Sequence, residues 1–141
     1  MKIKIGINGM GRIGRMILRS IYEGNKKIEI MHINNRTNSE TCSTLLKYDS
    51  IHGKFNADIS YDKNNLIVNK NKISFGQETD LNKINWKKYG VDYVFECTGK
   101  FNSKDKLLPH LNNGAKKVIV SAPCKNADKT IVFGVNESEL K

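Results

Sequence analysis

Ile3-Lys4-Ile5-Gly6-Ile7-Asn8-Gly9-Met10-Gly11-Arg12-Ile13-Gly14 is the stretch that decides the fold. Residues 2–7 alternate charged and apolar side chains and then reach Asn8-Gly9, the pattern of a buried strand that ends at a tight turn. Residues 12–23 carry Ile13, Ile17 and Ile21 at four-residue spacing with Leu18 beside them, a helix face stopped by Gly24-Asn25. Residues 28–34 read as a second strand. Strand, glycine turn, helix and strand make a βαβ unit, because two parallel strands need a crossover connection. Inside it, Gly9, Gly11 and Gly14 fit G-x-G-x-x-G in the context that this pattern requires. Gly9 permits the sharp turn, Gly11 lets a pyrophosphate approach the backbone, and Gly14 lets the helix pack close to the strand. The free N–H groups of Arg12 and Ile13 at the helix start then face the phosphates, and the helix dipole favours that negative charge.

The end of the second strand bears on which dinucleotide fits. An acidic residue ~20 positions past the glycines normally holds the adenosine ribose hydroxyls. Counting from Gly14, that place falls on Asn35, followed by Arg36. Asn35 removes the repulsion that a carboxylate would exert on a 2′-phosphate, and Arg36 adds a planar cation suited to one. The pair therefore points to NADP, or to dual use of NAD and NADP. The alternative is NAD bound with Asn35 as a neutral hydrogen-bond partner.

Further along, residues 40–48 read as a helix, 49–56 as a loop, and 57–75 as short antiparallel strands with turns at Lys63-Asn64-Asn65 and Asn69-Lys70-Asn71. Strands follow over 91–95, 117–121 and 130–135, with a helix over 103–112 and a polar tail at the end. The expected fold class is α/β: a doubly wound parallel (Rossmann) sheet with a short antiparallel meander insertion, one dinucleotide-binding domain spanning 1–141. The charge of +10 comes from 24 basic and 14 acidic residues. All but four of the basic residues are lysines, scattered in pairs such as Lys26-Lys27, so the balance reads as compositional drift rather than a nucleic-acid stripe. No run approaches the ~18 apolar residues of a membrane span. No secretory leader precedes the first strand, and three cysteines without metal-type spacing argue against a disulfide scaffold or a metal site. A reducing, cytoplasmic location is the expectation.

Five segments resemble the glyceraldehyde-3-phosphate dehydrogenase family: Ile5 to Arg15, Leu45 to Phe55 (with Asp49-Ser50-Ile51-His52-Gly53), Phe95-Glu96-Cys97-Thr98-Gly99-Lys100-Phe101, Gly114 to Pro123, and Val132-Phe133-Gly134-Val135-Asn136. They occur in the family's order and cover its N-terminal, dinucleotide-binding half. The resemblance implies a phosphorylating aldehyde dehydrogenase of glycolysis and gluconeogenesis. A cysteine thiolate attacks the aldehyde, hydride passes to the nicotinamide, phosphate releases the acyl group, and a histidine serves as base. The family's Ala-Ser-Cys-Thr-Thr-Asn nucleophile motif is absent from these residues. Cys97, Cys124 and His52 lie in other motifs, where packing or loop roles are expected, so no catalytic residue is assigned. The implied cofactor residues are Asn8, Gly9, Gly11, Arg12 and Ile13 for the pyrophosphate and Asn34, Asn35 and Arg36 for the adenosine ribose. Glu78-Thr79 stands at the adenine edge, with Thr79 contributing backbone only. Thr98, Gly99, Ser121 and Ala122 stand beside the nicotinamide. The implied partners are the dinucleotide and, for a full-length protein, a sugar-phosphate aldehyde, inorganic phosphate and a homotetramer. The expected function is the NAD(P)-binding domain of such a dehydrogenase, inactive alone. The alternatives are the same half of erythrose-4-phosphate dehydrogenase, or a standalone basic module binding RNA.

Overall fold

The computed structural model describes residues 1–24, 27–50 and 52–140. Asn25 of the expected helix stop, Lys26 of the first lysine pair, Ile51 of the His-Gly segment and Lys141 of the tail lie outside the described residues. The βαβ unit forms as its sequence dictates: β1 (Ile3–Asn8), α1 (Arg12–Gly24) and β2 (Ile28–Asn34), with β1 and β2 parallel. Next come α2 (Ser39–Lys47), the two-residue strands β3 (Tyr48–Asp49) and β4 (Gly53–Lys54), and the meander β5 (Ile59–Asp62), β6 (Asn65–Val68) and β7 (Asn71–Gly76). Two 3-10 turns around Trp86 lead to β8 (Tyr93–Glu96), α3 (Lys104–Asn112) and β9 (Lys117–Val120).

The main sheet runs in the order β5-β6-β7-β2-β1-β8-β9. From β7 to β9 every neighbouring pair is parallel, whereas β5, β6 and β7 pair antiparallel. This is the doubly wound parallel sheet with an antiparallel meander that the sequence leads one to expect. Alternate residues of a strand face opposite sides. Ile5, Ile7 and Ile33 therefore pack with Leu18, Cys42, Leu46 and Phe55 on the side of α1 and α2. The other side carries Trp86, Val91, Val94 and Ala115. Gly6 belongs to that second side, and a Cβ there would collide with the Trp86 ring.

Three local expectations are corrected. Residues 130–135 do not form a strand. Asn136 captures them locally: its Oδ1 accepts from Val132 N at 2.7 Å and its Nδ2 donates to Thr130 O at 2.9 Å. Gly134 also adopts a left-handed φ of 83°, which interrupts an extended run. Residues 49–56 are not wholly a loop, since Tyr48 and Asp49 pair with Lys54 and Gly53 across a turn in which Asp49 Oδ1 accepts from His52 N at 2.7 Å. Ile13 is half exposed, whereas Ile17 and Ile21 pack against the core beside Leu18 as expected.

Candidate functional site

Five parallel strands end along one edge of the sheet, and their last residues are in register. Gly76 of β7 pairs with Asn34 of β2, Asn34 with Asn8 of β1, Asn8 with Glu96 of β8, and Glu96 with Val120 of β9. Each candidate cofactor residue sits at one of these ends or just beyond it. Thr79 follows β7, Asn35 and Arg36 follow β2, Gly9 to Ile13 follow β1, Thr98 and Gly99 follow β8, and Ser121 and Ala122 follow β9. Asn8 and Asn34 are themselves strand-end residues. In open α/β sheets the crevice outside the carboxyl ends, where strand order reverses, is where ligands bind. Here the reversal lies at β1, whose neighbours are β2 and β8.

The glycine turn is held from both sides. Gly9 N donates to Asn34 O at 2.8 Å and Met10 N donates to Asn35 Oδ1 at 3.0 Å. Gly9 has φ 97°, and a Cβ on it would lie 2.7 Å from Thr98 N, so only glycine allows β1 and β8 to end this close together. A Cβ on Gly14 would strike Gly9 O, which ties the start of α1 to the turn itself. A Cβ on Gly11, by contrast, would meet nothing within 4 Å: its backbone borders open space, as a pyrophosphate cradle requires. The first backbone bond here runs from Arg15 N to Gly11 O at 3.0 Å. The amides of Arg12 and Ile13 are thus among those that a helix cannot satisfy internally. The Arg12 guanidinium lies 3.7 Å from the Asp49 carboxylate.

The adenosine side is more constrained than its sequence suggests. Asn34 is buried, and its side chain is committed: Nδ2 donates to Asn8 Oδ1 at 2.9 Å and to Glu78 O at 2.8 Å, while Oδ1 accepts from Glu78 N at 2.8 Å. Asn35 Nδ2 donates to Thr37 Oγ1 at 2.8 Å, so both ends of its amide are engaged. Arg36 is exposed, and its carbonyl accepts from Gln77 Nε2 at 3.0 Å. Thr79 is exposed, with its N–H donated to Glu78 Oε1 at 3.0 Å. On the far side, Thr98 is half-buried while Gly99, Ser121 and Ala122 are exposed. Ser121 N donates to Glu96 O at 3.1 Å, which keeps the last two loops side by side.

Residues 3–104 match the family described as "Glyceraldehyde 3-phosphate dehydrogenase, NAD binding domain". The chain belongs to that family. It is 48% identical over 139 residues to the glyceraldehyde-3-phosphate dehydrogenase of Thermotoga maritima, 47% identical over 139 residues to that of Geobacillus stearothermophilus, and 48% identical over 144 residues to the chromosomal one of Cupriavidus necator. These matches cover 98–100% of this chain and 41–43% of the relatives, so the chain spans about two-fifths of their length. They favour neither the erythrose-4-phosphate reading nor the standalone basic module.

The fold accounts for two of the three cysteines, and the third, Cys124, is partly exposed in the segment after β9. Cys42 is buried in the core, and burial pushes its thiol up to about 11. Cys97 packs beside the same core, and burial likewise pushes its thiol up to about 11. Such thiols are poor nucleophiles at neutral pH. His52 is exposed on the β3–β4 turn. Among the described residues, no group of three or more His, Cys, Asp or Glu could hold a metal ion, and no helix is long and apolar enough to cross a membrane.

Sequence reasoning missed the buried polar side chains behind this edge: Glu96, His110 and Trp86. Their signal was faint but present. The apolar runs of β1, β2 and β8 each close on a polar residue, Asn8, Asn34 and Glu96. A polar residue at the same register in three neighbouring strands marks a layer rather than three separate strand ends.

Proposed function

We propose that residues 1–141 form one dinucleotide-binding domain that holds NAD across the strand ends and admits NADP as well. The observation that carries this reading is the in-register row Gly76, Asn34, Asn8, Glu96 and Val120, with a short loop leaving each position. In this reading the backbone of Gly9, Gly11, Arg12 and Ile13 holds the pyrophosphate, with Asn8 and Asn34 fixing the turn from beneath. The adenosine ribose lies against Asn35 and Arg36, and the adenine lies along the Glu78-Thr79 backbone. The nicotinamide half rests near Thr98, Gly99, Ser121 and Ala122.

Dual use follows from what Asn35 lacks. Its amide carries no charge to repel a 2′-phosphate, and Arg36 beside it is exposed and cationic. As part of a longer dehydrogenase, the domain would serve oxidation of a sugar-phosphate aldehyde with inorganic phosphate, in a cytoplasmic homotetramer. The 141 residues by themselves form no NAD(P)H from glyceraldehyde 3-phosphate and phosphate, because none of Cys42, Cys97 and Cys124 stands in the family's nucleophile motif.

Calorimetric titration of the chain with NAD and with NADP tests this, together with Asn35→Asp. The expected result is measurable binding of both by the wild type, and about a tenfold or greater shift of the affinity ratio toward NAD in the variant, the scale of a hydrogen bond to a charged group. An unchanged ratio would remove Asn35 from the ribose site. No binding of either dinucleotide would remove the whole reading.

A further inference from the structure

Behind the strand ends lies a carboxylate that the cofactor assignment leaves without a task. Glu96 is 1% exposed, and among the described residues no lysine or arginine pairs with it. Its Oε2 accepts from Asn8 Nδ2 at 2.7 Å and from His110 Nε2 at 2.7 Å. Its Oε1 accepts from Thr98 N at 3.0 Å and from Thr98 Oγ1 at 2.6 Å. An ionised carboxylate offers about four lone-pair sites, and all are filled. Burial opposes the charge, but the bonds from His110, Thr98 and Asn8 outweigh it and hold the carboxyl below its ordinary range.

The direction of every proton in this group is determined. An indole N–H can only donate, so His110 Nδ1 accepts from Trp86 Nε1 at 2.9 Å. The His110 ring therefore carries its proton on Nε2 and presents it to Glu96. Asn8 gives its amide N–H to Glu96, which turns its Oδ1 toward Asn34 Nδ2 at 2.9 Å. Asn34 in turn grips the backbone of Glu78 on both sides. One continuous path of bonds thus joins the loop after β8, the glycine turn after β1 and the loop after β7. Such fully satisfied networks rigidify what they join.

We propose that Glu96 is a positioning residue of the dinucleotide site: aimed by His110 and Trp86, it holds the nicotinamide-side loop at Thr98 and the glycine turn at Asn8 in one fixed relation. The inference rests on the dinucleotide reading above. The task needs an acceptor on both oxygens. The isosteric Gln must turn an NH2 group toward donors on one side or the other, so it keeps the volume and breaks the relation. His110 is fully buried on α3 and reaches the strand ends through its bond to Glu96. Leu at that position removes the donor, whereas Gln can accept from Trp86 and donate to Glu96.

The test is calorimetric titration of wild type, Glu96→Gln, His110→Leu and His110→Gln with NAD and with AMP, whose contacts are confined to the adenosine side and the glycine turn. Glu96→Gln should lose about tenfold or more in NAD affinity, the scale of a lost charge-assisted bond, with AMP affinity changed far less. His110→Leu should shift the NAD-to-AMP ratio in the same direction, and His110→Gln should restore it toward wild type. A merely structural role lowers thermal stability and the active fraction but leaves that ratio where it was. A constant ratio in both Glu96→Gln and His110→Leu overturns the positioning role and leaves dinucleotide binding intact. A wild type that binds no NAD overturns both. If Glu96→Gln does not fold, the His110 pair decides alone.

Discussion

Asn8, Asn34, Glu96 and His110 are at most 3% exposed, whereas Val132, Phe133, Val135 and Leu140 are 55–93% exposed. The two regions invert the usual partition of side chains in opposite senses, and the reasons differ. Buried polar groups are tolerated when their hydrogen bonds are made. At the strand ends they are made, through the row that links Asn34, Asn8, Glu96 and His110. In the last segment the chain turns back on Asn136 instead of extending, and its apolar side chains point outward. Where such side chains adjoin in one patch, association is what covers them. One region is an interior with its hydrogen bonds made; the other presents apolar side chains to solvent.

The largest expected effect breaks the buried row. Asn8→Ala removes one of the two acceptors of Asn34 Nδ2 and one of the four donors to Glu96, and should destabilise the chain by about 2–4 kcal/mol in denaturant unfolding. A loss well under 1 kcal/mol would mean that the row carries no special weight.

A second effect comes from His32, whose ring stacks on Tyr89 at 3.9 Å and lies edge-on to Trp86. Burial, with the Lys88 charge adding to it, pushes its imidazole down to about 4 from 6.5. The unfolded chain therefore takes up a proton that the folded chain refuses. Stability should be full above pH 6.5 and fall by up to about 3 kcal/mol as pH drops to 4. Glu96 acts in the same sense lower down. Its folded carboxyl is held below its ordinary value, so its contribution is present above the unfolded pKa and is lost as pH falls through the folded one. Unfolding curves at pH 7 and pH 5 for wild type and His32→Asn check the first part. An equal drop in both proteins would take His32 out of the account.

The smallest effect on stability belongs to the exposed segment. Phe133→Ser should change stability by no more than about 0.5 kcal/mol, as surface substitutions do. It should lower binding of a hydrophobic dye and reduce self-association in sedimentation. A wild type that is strictly monomeric and dye-negative would show that the exposed side chains behave as ordinary surface.

The legible parts were those governed by local pattern. The period-2 strand, the glycine spacing and the period-3.6 helix lie in one continuous stretch, so β1, α1 and β2 could be read directly. The meander declared itself through its asparagine turns. Asn136 could not be read as the residue that folds 130–135 back, because a run such as Ile131-Val132-Phe133 carries strand propensity whatever lies four residues on. The Glu96 network was hidden for a different reason. Its members come from β1, β2, β8, α3 and the turn at Trp86, and only the register of the sheet brings them together. Gly11 and Gly14 fit the same motif in sequence yet differ in space. A Cβ at Gly14 collides with Gly9 O, and one at Gly11 meets nothing within 4 Å.

That difference supplies the most direct measurement. Gly11 does not adopt a left-handed φ, so the chain accommodates Gly11→Ala without backbone strain while the added methyl enters the pyrophosphate space. Titration of NAD into wild type and Gly11→Ala, with circular dichroism to show that both are folded, should give binding in the first and its loss in the second. Equal affinity in two folded proteins would contradict the assignment of the glycine turn to the phosphates.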